Sequence, residues 1–155
     1  MDKGIYCLVF NNPACTEQVG ALGQLAFGKG WHVYVGSALG SGGLARLSRH
    51  VSLSQAKDKR PKWHIDYLSC SDRFSLRYTV HALTTDRLEC RLAETLGGPS
   101  VPAFGCSDCT CPSHLFFRPR NPHDEVVSAF NRLGLVAVTT TIMSRDCSKG
   151  IIGRR

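Results

Sequence analysis

The sequence predicts an α+β protein in which helices pack on a small, mostly antiparallel sheet. The strand and helix signals follow the chain in the order β-β-α-α-β-α, without the regular βα alternation of a doubly wound sheet. The length of 155 residues and the hydrophobic share of 43% suit one domain with a sizeable core. We expect three central strands and one edge strand, flanked by helices.

The first two strands each contain a tyrosine next to a glycine-containing motif. Residues 5–10 form an apolar run that stops at the breaker "NNP", and residues 31–37 form the second run. If these strands pair as a long-looped antiparallel hairpin, the start of the first adjoins the end of the second. Tyr6 and Tyr34 would then converge at one end of the sheet.

The other elements follow from hydrophobic spacing and from turn residues. The third strand places Phe74, Leu76, Tyr78 and Val80 on one face by alternation. We predict residues 1–134 to form the domain and residues 135–155 to be a partly disordered C-terminal extension. The predicted elements are helices over 44–56, 63–70, 84–98 and 123–134, a strand over 74–83 and an edge strand over 113–118.

Charge and cysteine content narrow the class of protein. Lys and Arg number 19 against 12 Asp and Glu, which gives a net charge of +7 and favours polyanionic partners. The first apolar run is too short for a secretory signal or a membrane span. We therefore expect a soluble cytoplasmic protein without a membrane partner, whose 8 cysteines are reduced thiols or metal ligands.

Two groups of residues are candidates for phosphate chemistry. Arg46 and His50 are four residues apart on a predicted helix, so they share one face, where they could hold a phosphate and move a proton. A solvated basic helix face is the alternative. Glu89 lies at the edge of an apolar helix stripe, where it is either a surface residue or one carboxylate ligand of Mg²⁺.

A basic run precedes the second helix. Lysine and arginine side chains there are candidates for phosphate contacts, namely Lys57, Lys59, Arg60 and Lys62. For Trp63, which follows them, a position in the core is preferred over base stacking. The spacing leaves open whether His64 and Asp66 face the same site.

A cysteine cluster, "CSDCTCPSH", supplies zinc-type ligands in Cys106, Cys109, Cys111 and His114. Because Cys109 and Cys111 are only two residues apart, the other reading is a rigid loop that presents Ser107, Asp108 and His114 to the site. The scattered cysteines are interpreted as small buried apolar residues: Cys7, Cys15, Cys70, Cys90 and Cys147.

In combination, these motifs resemble the GIY-YIG nuclease superfamily over about residues 4–117. The resemblance rests on Gly4-Ile5-Tyr6, on Tyr34-Val35-Gly36, on Arg46 with His50, and on Glu89 in "LECRLAETL". It is closest to an archaeal and bacterial subgroup defined as a domain of unknown function. The stretches shared with that subgroup are "YVGSA", "ARLSRH", "KWHIDYL" and "FGCSDCTCPSHLF".

The resemblance implies a GIY-YIG-like fold and an endonuclease that hydrolyses DNA phosphodiester bonds. Branched and damaged DNA are candidate substrates, and the sequence leaves the choice open. Glu89 would bind Mg²⁺ or Mn²⁺, Tyr6 and His50 would help to deprotonate water, and Arg46 and Tyr34 would stabilise the phosphate. Two alternatives remain. One is a nucleic-acid-binding module that cuts weakly or not at all, and the other is an interaction protein that uses the cysteine cluster as a zinc or thiol site.

Overall fold

The computed structural model describes residues 2–106 and 111–143, and over these residues the chain has the predicted α+β fold. The predicted strands and helices are all present, with shifted ends. The strands are β1 (Gly4–Asn12), β2 (Cys15–Gln18), β3 (Gln24–Phe27), β4 (Gly30–Ala38), β5 (Ser75–Leu83), β6 (Leu115–Arg118) and β7 (Val138–Thr141), and the helices are α1 (Ala45–Ala56), α2 (His64–Ser69), α3 (Glu89–Leu96) and α4 (His123–Arg132).

Within the described residues, five strands form one antiparallel sheet in the order β6-β4-β1-β5-β7. The central strand β1 pairs with β4 so that Tyr6 lies opposite Gly36 and Leu8 lies opposite Tyr34. Residues opposite each other across a strand pair point to the same face, as do residues two apart along a strand. Tyr6 and Tyr34 therefore share one face, which confirms their predicted convergence.

Helices cover both faces of the sheet. The side chains of β1 are apolar on both faces, and each face is buried in its own core. Its odd-numbered side chains, from Ile5 to Val9, pack in a core with α3 and α4. Its even-numbered side chains, from Tyr6 to Phe10, pack in a second core with α1 and α2. A strand buried on both faces reads as a continuous apolar run rather than an alternating one, as residues 5–10 do.

The predicted single apolar face of β5 is wrong. The pairing with β1 shifts by one residue between Val9 and Phe10, so that Tyr78 faces Val9 while Leu76 faces Phe10. Arg77 is the extra residue of this bulge. An extra residue reverses the alternation of side chains along a strand, so Tyr78 enters the α3–α4 core and Leu76 enters the α1–α2 core.

Two features were not predicted from the sequence. The long connection between β1 and β4 contains a short antiparallel hairpin formed by β2 and β3. Residues 138–141 form β7 and pair with β5, so the sheet continues beyond residue 134. The predicted disorder of the C-terminal end falls on residues 144–155, which lie outside the described residues.

None of the helices in the described ranges has the length and apolar character to cross a membrane.

Candidate active site and the adjoining cysteine–histidine cluster

The predicted catalytic residues surround one cleft of about 280 Å³, which we call the tyrosine cleft. It lies over the face of β1 and β4 that carries the two tyrosines, and α1, α2 and the first residue of α3 border it. Its lining consists of Tyr6, Tyr34, Gly36, Ser37, Arg46, His50, Lys62, Trp63, His64, Glu89 and Gly105. All five predicted catalytic residues thus contribute to the same cleft.

The glycines of the two tyrosine motifs are required by close approach of neighbouring strands. A Cβ atom at Gly36 would lie 2.5 Å from Cζ of Tyr6, which no real Cβ contact allows. A Cβ atom at Gly4 would overlap the backbone carbonyl oxygen of Ala82. Gly36 therefore leaves room for the Tyr6 ring over β4, and Gly4 allows β1 to lie at hydrogen-bonding distance from β5.

Tyr6 and His50 line the cleft, and the fully buried Asp66 lies behind His50, so that the three form a buried series. The Tyr6 hydroxyl lies 3.0 Å from Nε2 of His50. Nδ1 of His50 has no hydrogen-bond partner in the described residues, and the nearest carboxylate oxygen, Oδ1 of Asp66, is 4.0 Å away. All three side chains are at most 2% exposed.

Burial sets the protonation states of this series. It lowers the pKa of His50 to about 4, although the charge of Asp66 acts in the opposite direction. It also raises the pKa of Tyr6 well above its ordinary value, with the neighbouring Tyr34 contributing. At neutral pH Tyr6 is therefore a phenol that donates to Nε2 of a neutral His50. The ring proton of His50 then resides on Nδ1 and faces Asp66. In the other tautomer the lone pair of Nδ1 would face the negative carboxylate, which is unfavourable.

Asp66 is held in place by groups on both sides of it. Its carboxylate accepts the backbone N–H groups of Lys62 and Trp63 at 2.9 and 3.0 Å, and the Arg49 guanidinium at 3.1 and 3.4 Å. Burial alone would raise the pKa of this carboxyl, but these hydrogen bonds outweigh burial and lower it. Asp66 therefore remains a fixed negative charge behind His50. Its carboxylate also accepts the backbone N–H of Trp63 and so caps the start of α2.

Trp63 lies at the mouth of the cleft, not in the core, so the predicted core position is wrong. Its side chain is 37% exposed. Three cations approach its ring, with Arg49 at 4.6 Å, Arg46 at 5.2 Å and Lys62 at 5.6 Å from the centroid. The result is an aromatic surface within a group of positive charges, which we call the cationic rim (Arg46, Arg49, Lys62 and Trp63).

His64, whose orientation the sequence left open, faces the cleft. Its Nδ1 accepts the backbone N–H of Gly105 at 2.9 Å. Burial lowers its pKa, so a neutral ring presents its second nitrogen, Nε2–H, as a donor. His64 thereby links α2 to the segment that precedes β6.

Glu89 reaches the tyrosine cleft although α3 packs on the other face of the sheet. It is the first residue of α3, and its side chain is 29% exposed. Its Oε2 lies 2.8 Å from Nδ1 of the buried His114. α3 begins at Glu89 without a side-chain cap, and the hydroxyl of Thr84, five residues earlier, accepts the N–H of Asp86.

A cysteine–histidine cluster adjoins Glu89, but its members differ from those predicted. Sγ of Cys90, Sγ of Cys111 and the ring nitrogen of His114 all lie within 4.8 Å of one another, so the group could hold a metal ion. Cys90, interpreted from the sequence as a small apolar residue, is therefore part of this group. Cys106 is not in it and lies near the carbonyl oxygen of Phe104. Ser107, Asp108 and Cys109 lie outside the described residues.

The four predicted phosphate-binding cations lie in three different settings. The ammonium of Lys57 donates to the carbonyl oxygens of Ser69, Ser71 and Phe74 and so ties the end of α1 to the chain before β5. Its phosphate contact stays a prediction. Lys59 and Arg60 are exposed on the connector between α1 and α2, and Lys62 lines the cleft.

Two buried histidines predict a loss of stability in mild acid. Burial lowers the pKa of both His32 and His50 from 6.5 to about 4. Below pH 6.5 the unfolded chain takes up protons that the folded chain does not, so the free energy of unfolding falls until the pH reaches about 4. At pH 5, about 1.5 pH units below 6.5, each histidine should have lowered the free energy of unfolding by about 2 kcal/mol.

Urea denaturation at pH 7 and pH 5 measures this loss. His32→Gln removes one titrating group and should reduce the difference in stability between the two pH values. Equal stability at both pH values would contradict the buried neutral state of these rings.

The comparisons with known proteins give one match. The family model described as Domain of unknown function DUF123 matches residues 5–135. This span begins in β1 and ends after α4, so it contains the whole tyrosine cleft and the cysteine–histidine cluster. No curated protein and no solved structure matches the chain.

Proposed function

The chain belongs to the DUF123 family, and we propose that it is a divalent-metal-dependent endonuclease that hydrolyses DNA phosphodiester bonds. The observation on which the proposal rests is the tyrosine cleft itself. One cavity is lined by residues from three separate parts of the chain. They are a tyrosine in hydrogen-bond contact with a buried histidine, an arginine, and a glutamate. This is the residue set that the GIY-YIG resemblance implies.

The charges of the cleft suit a phosphodiester. Arg46 and Lys62 supply positive charge at its rim, and the neutral Tyr34 and His64 supply donors inside it. Fixed donors and cations around a phosphate stabilise the charge that grows on its oxygens during displacement. Arg46 is already oriented, because its guanidinium donates to the carbonyl oxygen of Ser37 at 3.1 Å.

Glu89 fits the role of the divalent-ion ligand. It supplies one carboxylate to the cleft, and Mg²⁺ commonly binds through one or two carboxylates together with water and substrate phosphate oxygens. One oxygen of Glu89 lies against His114, which fixes the carboxylate and leaves its second oxygen for the ion. When bound, Mg²⁺ or Mn²⁺ would neutralise charge on the scissile phosphate and on the leaving oxygen.

The proton of the attacking water would move along the buried series. Because the pKa of Tyr6 is raised, the hydroxyl is not a ready-made phenolate. Instead, its oxygen takes the proton of the water as its own proton passes to Nε2 of His50 at 3.0 Å. Asp66 then faces a charged imidazolium, and its fixed negative charge stabilises that state.

The cationic rim indicates a substrate with unpaired bases. Aromatic rings at an exposed position bind bases by stacking, which contributes about 1–3 kcal/mol for each base. The 37% exposed Trp63 offers such a ring beside Arg46 and Lys62, which would contact the adjacent phosphates. Branched, flapped or damaged DNA presents unpaired bases next to duplex and suits this surface.

A cleavage screen tests the proposal. Flapped, branched, damaged and intact duplex DNA, with matching RNA, are incubated with Mg²⁺ or Mn²⁺ and, as a control, with chelator. We expect cleavage of structured DNA only when the divalent ion is present. Binding that weakens with salt but is never followed by cleavage would favour the binding-module alternative. The absence of both binding and cleavage would overturn a nucleic-acid function.

A further inference from the structure

We propose that Cys90, Cys111 and His114 bind one zinc ion, and that this ion positions Glu89 for the tyrosine cleft. The metal site does not depend on the proposed nuclease activity. The role of Glu89 in the cleft does rest on the proposed nuclease function, and separate variants test the zinc site and the nuclease site.

The donor atoms converge from separate parts of the chain. Sγ of Cys111 lies 2.7 Å from Nε2 of His114 and 2.6 Å from Sγ of Cys90, while Sγ of Cys90 lies 3.9 Å from the same Nε2. Cys90 comes from the first turn of α3, and the other two residues come from the segment before β6. Twenty-one residues separate Cys90 from Cys111, so their approach is a tertiary contact rather than a local one.

The orientation of His114 is that of a metal ligand. Its Nε2 points at the two sulfur atoms, whereas its Nδ1 lies 2.8 Å from Oε2 of Glu89. A histidine that binds a metal through one nitrogen commonly donates its other N–H to a carboxylate, which fixes the tautomer and makes the ring a better ligand. The ring is 1% exposed, so neither nitrogen can turn to bulk water instead.

The donor set selects zinc rather than the ion proposed for the cleft. Two thiolates and an imidazole are zinc ligands, whereas Mg²⁺ prefers oxygen donors. Among the described residues three side chains can bind the ion, and a tetrahedral zinc takes one further donor. The chain would therefore hold two different metal ions near Glu89, with zinc on the side of His114 and Mg²⁺ or Mn²⁺ on the side of the tyrosine cleft.

The site would stabilise the geometry of the cleft. A zinc ion bound to Cys90 fixes the start of α3, and through Cys111 and His114 it fixes the segment that leads into β6. Glu89 adjoins both, being next to Cys90 in sequence and in contact with His114. Loss of zinc would free His114 and so loosen the carboxylate, although Glu89 itself is unchanged.

Metal analysis of the full chain, purified without added metal, tests the site directly. We expect about one equivalent of zinc per chain, and less than a tenth of that in Cys90→Ser and in Cys111→Ser. Cys70→Ser, which changes a partly buried cysteine in α2's C-cap, is the matched control and should retain zinc. Cys106→Ser should retain zinc as well, and zinc loss there but not in Cys90→Ser would overturn the assignment.

A measurement on the unmodified chain guards against variants that fail to fold. Replacement of zinc by Co²⁺ should give thiolate-to-cobalt charge-transfer absorption and the visible bands of a tetrahedral ion. Thiol titration distinguishes the competing arrangement, a Cys90–Cys111 disulfide. A chain that lacks zinc and shows two fewer thiols until it is reduced would overturn the proposal.

Two variants separate the metal site from the nuclease site. Glu89→Gln leaves Cys90, Cys111 and His114 unchanged, so we expect it to retain zinc while it loses cleavage. Cys90→Ser should lose zinc and lower kcat for cleavage while Glu89 is intact. Full activity of zinc-free Cys90→Ser would overturn the link to Glu89, and a chain with zinc but no cleavage would refute only the proposed nuclease function.

Discussion

Glu89→Gln is expected to reduce divalent-dependent cleavage by roughly 10³-fold or more, because a bound metal ion supplies several kcal/mol of charge stabilisation to the transition state. The substitution removes the negative charge that would hold the ion, while the shape of the side chain hardly changes. Glu89 is only partly buried, so the fold should be retained. The rate of cleavage of a flapped DNA, measured over a series of Mg²⁺ concentrations, gives the size of the effect.

Glu94→Gln is the matched control for this experiment. It lies on the same helix but is exposed and does not line the cleft, so its cleavage rate should match that of the unmodified chain. DNA binding without metal should persist in Glu89→Gln, since the cationic rim is unchanged. A loss of cleavage in Glu94→Gln, with full activity in Glu89→Gln, would show that the ligand is misassigned.

Tyr6→Phe is expected to lower the cleavage rate by about 10² to 10⁴, the range typical of removing a group that transfers a proton. The variant deletes only the hydroxyl that donates to His50, and the ring still fills the space over Gly36. Some stability will also be lost, because Nε2 of His50 remains buried without its donor. That cost is about 1–3 kcal/mol.

Tyr78→Phe separates the stability effect from the chemical effect. The Tyr78 hydroxyl donates to Oδ1 of Asn121 at 2.7 Å, and the residue lies in the opposite core, away from the cleft. Both variants lose one satisfied hydroxyl, but only Tyr6→Phe should lose cleavage. If the two variants cleave at the same rate, Tyr6 does not take part in proton transfer.

The sequence predicted that the proposed catalytic residues lie together, because their placement depends on local pattern and simple geometry. An antiparallel pairing of β1 with β4 is enough to bring Tyr6 beside Tyr34. A spacing of four residues on a helix is enough to place Arg46 and His50 together, and both line the cleft. The roles of these residues stay predictions until cleavage is measured.

The cysteine–histidine cluster shows where local pattern misleads. The dense motif around Cys109 suggested that all ligands are neighbours in sequence, yet the structure adds Cys90 from α3 and leaves Cys106 out. Metal sites often take ligands from distant segments, and a lone cysteine in an apolar helix has no local feature that marks it as a ligand.

The sequence by itself determined the α+β class, the order of the main elements and the convergence of the two tyrosines, because apolar periodicity and turn residues act over short distances. Only the tertiary structure decided that Lys57 binds carbonyl oxygens and that Trp63 is exposed under three cations. It also decided that Arg77 forms a bulge that divides β5 between two cores. Each of these outcomes depends on which distant group a side chain meets, and that is fixed by packing across the sheet rather than by neighbours in sequence.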